Sequence, residues 1–301
     1  MRAAARRDRE GTRLVTLPAA IAAEIETELG QRIDQTTPVS GGCIHTALRL
    51  QTDLGTYFAK YGDARGGAMF ETESFALQEI GATQTVRVPH VVARGSRWLL
   101  LEWLEPGPPS REAWRAFGAA LARMHRVRHD RFGWNRSNFI GSLPQQNDWS
   151  VSWPRFWQER RLQPQVETAL QRGYLGRDDV RKFEQLYGEL AERLTIVDQE
   201  GASLLHGDLW SGNAHRGSQV IAAVDPSAYH GHREVDLAMA ELFGGFPRTF
   251  WEGYAAEWPL HSEALEPRRA IYQLYYLLVH LNLFGAGYLA GTRSALLTAL
   301  K

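Results

Sequence analysis

The stretch Leu204-Leu205-His206-Gly207-Asp208-Leu209-Trp210-Ser211-Gly212-Asn213 decides how the rest of the chain is read. Two leucines close an apolar run and a glycine allows a bend. Asp208 and Asn213 then stand five positions apart, the spacing at which a kinase catalytic loop sets an aspartate on the acceptor hydroxyl and an asparagine on magnesium. Downstream, the apolar segment Val220-Ile221-Ala222-Ala223-Val224 ends in Asp225-Pro226, which places a second carboxylate at a strand terminus. Magnesium keeps few protein ligands beside phosphate oxygens, so one carboxylate and one amide oxygen suffice. Taken singly, Asp208 reads as a turn or cap aspartate and Asp225 as a strand-end turn before proline. Their order along one chain is what favours phosphoryl transfer.

That reading demands, upstream and in this order, a glycine turn, a strand lysine and a helix glutamate. Ser40-Gly41-Gly42-Cys43-Ile44-His45-Thr46 supplies a turn whose backbone at Gly41, Gly42 and Cys43 can approach phosphates closely. It lacks the spaced glycines of protein kinases, and alone it reads as an ordinary hairpin. Lys60 follows in the strand-like Thr56-Tyr57-Phe58-Ala59-Lys60-Tyr61. Residues 67 to 80 switch to helical period: Phe70, Leu77 and Ile80 define an apolar stripe, and position 73 falls on it while Glu71 turns away. A buried unpaired carboxylate is costly, so Glu73 calls for a cation, and Lys60 is the natural one. The alternative leaves Glu73 at the wet rim of the stripe.

Composition, 44% hydrophobic and 23% charged, agrees with a folded globular protein. The 301 residues carry 34 Lys plus Arg against 34 Asp plus Glu, so neither nucleic acid nor an anionic membrane is the expected partner. Only Lys60, Lys182 and Lys301 are lysines in a chain that otherwise uses arginine, so an interior lysine reads either as kept for its chemistry or as a chance survivor of background composition. The single cysteine, Cys43, excludes an intramolecular disulfide and any cysteine-cluster zinc site, and makes a reducing, cytoplasmic setting the expectation. Ala270 to Thr292 has no Lys, Arg, Asp or Glu, yet Gln273, His280, Asn282 and two glycines interrupt it, so it reads as a buried helix.

Strand patterns over residues 31 to 61 and at Trp98-Leu99-Leu100-Leu101-Glu102-Trp103-Leu104 precede Glu105-Pro106-Gly107-Pro108-Pro109, an obvious linker, beyond which Ser110 can cap a helix to about His125. The rest is mostly helix-compatible, with short strands near 203–205 and 219–224. The expected fold is α+β and bilobal, protein-kinase-like: a small β-rich nucleotide-binding lobe over residues 1–103 and a larger, mainly helical catalytic and substrate lobe over residues 104–301.

Over nearly its whole length the chain resembles the fructosamine kinase (ketosamine-3-kinase) family, within the wider aminoglycoside and choline kinase-like plan. The resemblance rests on Ser40-Gly41-Gly42-Cys43-Ile44, Met69-Phe70-Glu71-Thr72-Glu73, Arg160-Arg161-Leu162, the 205–213 loop, Gly231-His232-Arg233-Glu234-Val235-Asp236-Leu237-Ala238-Met239, Phe243-Gly244-Gly245-Phe246 and Leu281-Asn282-Leu283-Phe284-Gly285. His45 and Ser227 depart from it, where Asn or Ser and Ala are expected. The resemblance implies ATP-dependent phosphorylation of the 3-hydroxyl of a small-molecule ketosamine or glycated amine, after which the product decomposes and frees the amine. It implies that Asp208 is the catalytic residue, that Asn213 and Asp225 bind Mg2+, that Lys60 held by Glu73 clamps ATP, and that the backbone of Glu102, Trp103 and Leu104 meets adenine. The rival readings are an aminoglycoside- or choline-kinase-like enzyme on another hydroxyl, a non-catalytic ATP-binding regulator, and a hydrolase built on His206 and Asp208.

Several residues carry two readings. His206 reads as a base or, with more weight, as structural. Asp236 is expected to accept backbone hydrogen bonds that brace the loop, and His215, His230 and His232 are expected to be solvated rather than to hold a metal. Trp149, Trp153, Phe156 and Trp157 stack on a sugar or pack between lobes. Cys43 either pairs with its twin in a redox-sensitive homodimer or stays half-buried in a monomer.

Overall fold

The computed structural model describes residues 17–39, 45–63, 66–261 and 265–301. Gly41, Gly42 and Cys43 lie outside the described residues, and with them the expected phosphate turn and the thiol. The chain divides into two compact units, Met1–Ser74 with Pro89–Leu104, and Phe75–Val88 with Glu105–Lys301.

The first unit contains helix α1 (Ala19–Leu29) and five strands, β1 (Ile33–Pro38), β2 (Thr46–Thr52), β3 (Thr56–Tyr61), β4 (Val91–Arg94) and β5 (Trp98–Glu102), with the first turns of α2 (Gly66–Ala82). The strands form one antiparallel sheet in the order β1-β2-β3-β5-β4. Alternation decides its faces: Leu48, Leu50, Ala59, Trp98 and Leu100 point to one side and pack on Ile21 and Ile25 of α1. The β2–β3 turn is closed by Thr52, whose hydroxyl accepts from the Gly55 amide at 3.1 Å. The Trp98 indole, otherwise an orphan donor in this core, donates to Glu24 at 2.7 Å.

The second unit is mainly helical. Ser110 accepts from the Ala113 amide at 3.0 Å and caps α3 (Arg111–His125). There follow β6 (Arg128–His129), a hairpin of β7 (Asn138–Ile140) and β8 (Leu143–Gln145), α4 (Trp153–Trp157), a single π turn over Gln158–Leu162, α5 (Gln163–Gln171), α6 (Arg177–Arg193) and α7 (Ile196–Glu200). Next come β9 (Ala202–Leu205), a hairpin of β10 (Ala214–Arg216) and β11 (Ile221–Ala223), β12 (Tyr229–Gly231), α8 (Glu234–Leu242), α9 (Arg248–Glu257), α10 (Leu265–Phe284) and α11 (Leu289–Ala299). β12, β9 and β6 make a small antiparallel sheet with β9 in the middle, so the strand that feeds the 206–213 loop is held on both edges.

The uncharged stretch from Ala270 runs through most of α10, whose Ile271, Tyr272, Leu274, Tyr275, Tyr276, Leu278 and Leu281 are buried. Gly285, at φ +92, ends the buried helix region. No helix among the described residues is long and apolar enough to cross a membrane. Trp153, Phe156 and Trp157 belong to the core of this unit, and Trp149 stacks on His129 at 4.1 Å, so the aromatic tract packs within the second unit. The expectation that His230 and His232 are solvated is corrected: both are buried, because β12 pairs with the central β9 and α8 begins immediately beyond it.

Candidate active site

In the first unit, Lys60 lies on β3 opposite Leu99 of β5, and its ammonium donates to the Glu73 carboxylate at 2.8 Å. Helical periodicity put Glu73 on the inward face, and there it is, on the same stripe as fully buried Phe70. His45 packs its ring on Phe70 at 4.6 Å. Glu102 ends β5, paired with Tyr57, and accepts from the His90 amide through its side chain at 3.1 Å. Trp103 follows with the Arg49 guanidinium 5.0 Å from its ring, and Leu104 completes the segment.

In the second unit, the loop after β9 is built on its backbone. Asp236, fully buried on α8, accepts from the His206 amide at 2.7 Å and the Gly207 amide at 2.8 Å, the loop-bracing role expected of it. His125 meets the same carboxylate at 3.1 Å. Gly207 stands at φ +82, and a Cβ there would come within 2.1 Å of the Ser227 carbonyl oxygen, so no other residue fits between the loop and the 225–228 segment. His206 is structural: its Nε2 meets the Val224 carbonyl at 2.9 Å and its Nδ1 accepts from the Asp208 amide at 3.3 Å. The Ser227 amide donates to the His206 carbonyl, and the Val224 amide to that of Asn213. Ser227, the unexpected residue, thus joins the loop through its backbone, which any residue but proline could do.

These bonds bring Asp208, Asn213 and Asp225 into one constellation. Asn213 donates through Nδ2 to the Asp208 carbonyl at 2.8 Å and to its carboxylate at 3.2 Å. The donor end of the amide is spent on Asp208, which leaves Asn213 to offer its carbonyl oxygen. Asp225 adopts φ +57, an uncommon conformation for a residue with a Cβ. Asp208 keeps part of its surface open to solvent, yet protein surrounds its carboxyl closely. Desolvation first, then the neighbouring charge of Asp225, push it up to about 7, against the opposing Asn213 hydrogen bond. A carboxylate and an amide oxygen at the mouth of such a loop suit a hard, oxygen-seeking divalent cation and offer nothing to a soft one. No group of three His, Cys, Asp or Glu residues among the described residues forms a metal cluster, so His215, His230 and His232 do not make a metal site.

Two features had weaker signals in the sequence. His232, Arg233 and Glu234 look like site residues by their chemistry, but they form a buried structural lattice: His232 and Arg233 meet Glu200 at 3.0 and 2.6 Å, and Glu234 binds Arg268. Arg161, in the π turn, is fully buried, which its neighbours in sequence did not announce.

Comparison with known proteins fits this geometry. The fructosamine kinase family profile matches residues 17–301. A “Probable ketoamine kinase” of Synechocystis sp. is 41% identical over 281 residues, covering 89% of this chain and 92% of that protein. The chloroplastic protein-ribulosamine 3-kinase of Arabidopsis thaliana is 37% identical over 265 residues, covering 85% and 79%. A crystal structure from Thermobifida fusca, described as a “putative fructosamine-3-kinase”, superposes with a TM-score of 0.85 at 32% identity, covering 93% of this chain and 98% of that one. The chain is a member of the fructosamine kinase family.

Proposed function

We propose that the protein transfers the γ-phosphoryl group of ATP to the 3-hydroxyl of a ketosamine, either a free small molecule or a glycated amine. The observation that carries this reading is the Asp208–Asn213–Asp225 constellation, in which the Asn213 amide clamps both the carbonyl and the carboxylate of Asp208. The acceptor class is supported by the names of the relatives, which are ketoamine and ribulosamine kinases.

The chemistry follows from these groups. The acceptor hydroxyl hydrogen-bonds the Asp208 carboxylate, which orients a lone pair of its oxygen toward the γ-phosphorus. As the new O–P bond forms, the hydroxyl proton passes to Asp208, and the bond from the γ-phosphorus to the bridging oxygen breaks, leaving its electrons on ADP. A carboxyl near pH 7 holds and returns a proton readily under neutral conditions. Lys60, fixed in direction by Glu73, meets the α and β phosphates, and the backbone of Glu102 to Leu104 receives the adenine edge. The Asn213 carbonyl oxygen and the Asp225 carboxylate would hold a divalent cation, Mg2+ in this reading, which when bound would neutralise phosphate charge and offset the Asp225 charge that helps to raise Asp208. Because the transferring group is loosely bonded, positioning and charge stabilisation supply most of the rate.

The test is product identity. Incubation with ATP, Mg2+ and a ribulosyl- or fructosyl-amine should give a new phosphomonoester whose 31P–1H coupling places phosphate on carbon 3. Phosphate on another carbon, or none with either acceptor, would contradict the assignment.

A further inference from the structure

Arg161 is the outstanding buried charge that the proposed chemistry does not use. It is 0% exposed, and among the described residues no carboxylate pairs with it. Its Nε has no hydrogen-bond partner there either. Instead it lies over the ring of Tyr229 at 4.0 Å and that of Phe156 at 4.7 Å, and donates to the Gln146 carbonyl at 2.7 Å. A buried cation without an anion is costly and is not explained as a device for stability.

Arg161 Nη1 also donates to the adjacent Arg160 carbonyl at 3.0 Å, and the bond from Nη2 shows where the charge is directed. Arg161 Nη2 donates at 2.6 Å to Asn147 Oδ1, and Asn147 Nδ2 donates at 2.8 Å to Asn138 Oδ1. Asn138 Nδ2 donates at 2.9 Å to the Ala228 carbonyl. Gln145 adds a parallel arm, donating to Asn138 Oδ1 at 2.8 Å and to the Ser227 carbonyl at 3.2 Å, while Tyr275 donates to Gln145 Oε1 at 2.6 Å. Both arms point the same way: the guanidinium polarises Asn147 and Asn138, which grip the Ala228 carbonyl, while Tyr275 polarises Gln145, which grips the preceding Ser227 carbonyl and meets the first arm at Asn138 Oδ1. Those carbonyls follow Asp225, whose left-handed backbone needs surroundings that over-determine it. Tyr229, under the guanidinium, ends the same segment. The π turn over Gln158–Leu162 shifts the helical register by one residue at the place where Arg161 turns inward.

We propose that Arg161 is a positioning residue for the cation site: through the Asn147–Asn138 relay, which the parallel Gln145 arm joins at Asn138, and through its stack on Tyr229, it holds the 225–229 segment so that Asp225 presents its carboxylate to the divalent ion. This rests on the reading of Asn213 and Asp225 as the cation ligands. Groups that fix a metal ligand from behind change affinity by about tenfold or more when removed.

The experiment measures Mn2+ binding to the full chain in the presence of ADP, by the loss of the free-ion EPR signal, with no turnover involved. Arg161→Lys and the near-isosteric Gln145→Met should each weaken Mn2+ binding about tenfold, while affinity for ADP alone changes less than twofold. Asn282→Leu removes a comparable buried amide bond, to the Gln165 carbonyl. It should lower the melting temperature but keep Mn2+ affinity within twofold. In the wild-type protein, hydrogen exchange should slow together in peptides covering 136–148 and 225–229 when Mn2+ and ADP are added, a readout that holds whether or not the variants fold. Mn2+ affinity unchanged in the folded relay variants, equal weakening in Asn282→Leu, or no joint protection of the two segments would overturn the proposal. A wild-type protein that binds no Mn2+ with ADP would overturn the phosphotransferase reading itself, a distinct result from binding that the relay does not affect.

Discussion

Two buried polar clusters in the second unit, close in sequence, use charge in opposite ways. In the first, Glu200 meets Arg233 at 2.6 Å and His232 at 3.0 Å, and Arg268 holds Glu234 through two bonds. Burial works to raise the Glu200 carboxyl, but the hydrogen bonds from Arg233 and His232 overcome it and leave it well below the usual carboxylate range. In the second, Asp208 and Asp225 set like charges near each other, so that burial and repulsion add and Asp208 rises to about 7. The paired lattice ties α7, α8 and α10 together, and Arg233 reaches α9 through the Tyr254 hydroxyl at 3.4 Å. In the proposed mechanism the like-charged constellation serves an incoming cation and a proton, the kind of perturbation that clusters at active sites.

If this contrast is right, substitutions in the two clusters should separate activity from stability. The largest effect is expected from Asp208→Asn, which should lower kcat on the order of 10³-fold while leaving the melting temperature equal or higher, because a like charge has been removed. ADP release and thermal unfolding measured on the same sample check both halves. Arg233→Met should do the reverse. It strands the Glu200 carboxylate in the interior and should cost about 3–5 kcal/mol of stability, read by urea unfolding, with kcat per folded molecule within threefold.

Lys60→Met tests the smaller charge device of the first unit. It should reduce kcat/KM for ATP on the order of 10²-fold, and Glu73→Gln, which keeps the lysine but loosens its direction, should reduce it less. Equal losses in the two variants would mean that the ion pair is structural rather than a phosphate clamp.

The smallest effect concerns acid. Burial, then the neighbouring charge of His129, lower His230 to about 4. As pH falls below about 6.5, the unfolded chain takes up a proton that the folded protein refuses, so stability declines until the pH approaches 4 and then levels. At pH 5 this one group should account for about 2 kcal/mol. His230→Asn should flatten the difference between urea unfolding at pH 7 and at pH 5 by that amount; an unchanged slope would place the acid sensitivity at His125 and His206, which burial also lowers.

How much of this was legible in the sequence depended on distance along the chain. Asp208 and Asn213 were readable because five residues of one loop bring them together. Glu73 was readable because helical periodicity fixes its face and a scarce lysine names its partner. Asp236 was readable by its motif, and both amide bonds are there. The burial of His230 and His232 was not, since it depends on β12 pairing with β9, a contact between distant segments. The relay from Arg161 was further out of reach, because a π turn changes which side of a helix faces inward and no spacing rule records it. The Gly-His-Arg-Glu segment, one of the stretches on which the family resemblance rests, places His232, Arg233 and Glu234 in buried packing contacts with Glu200 and Arg268.

The most direct measurement is Mg2+-dependent ADP release from ATP with a ribulosamine and a fructosamine of the same amine, with the Asp208→Asn protein as the blank. Stimulation by at least one ketosamine, lost in the blank while nucleotide binding persists, is the predicted result. A wild-type rate that neither ketosamine raises, or a blank that turns over as fast as the wild type, would contradict the account.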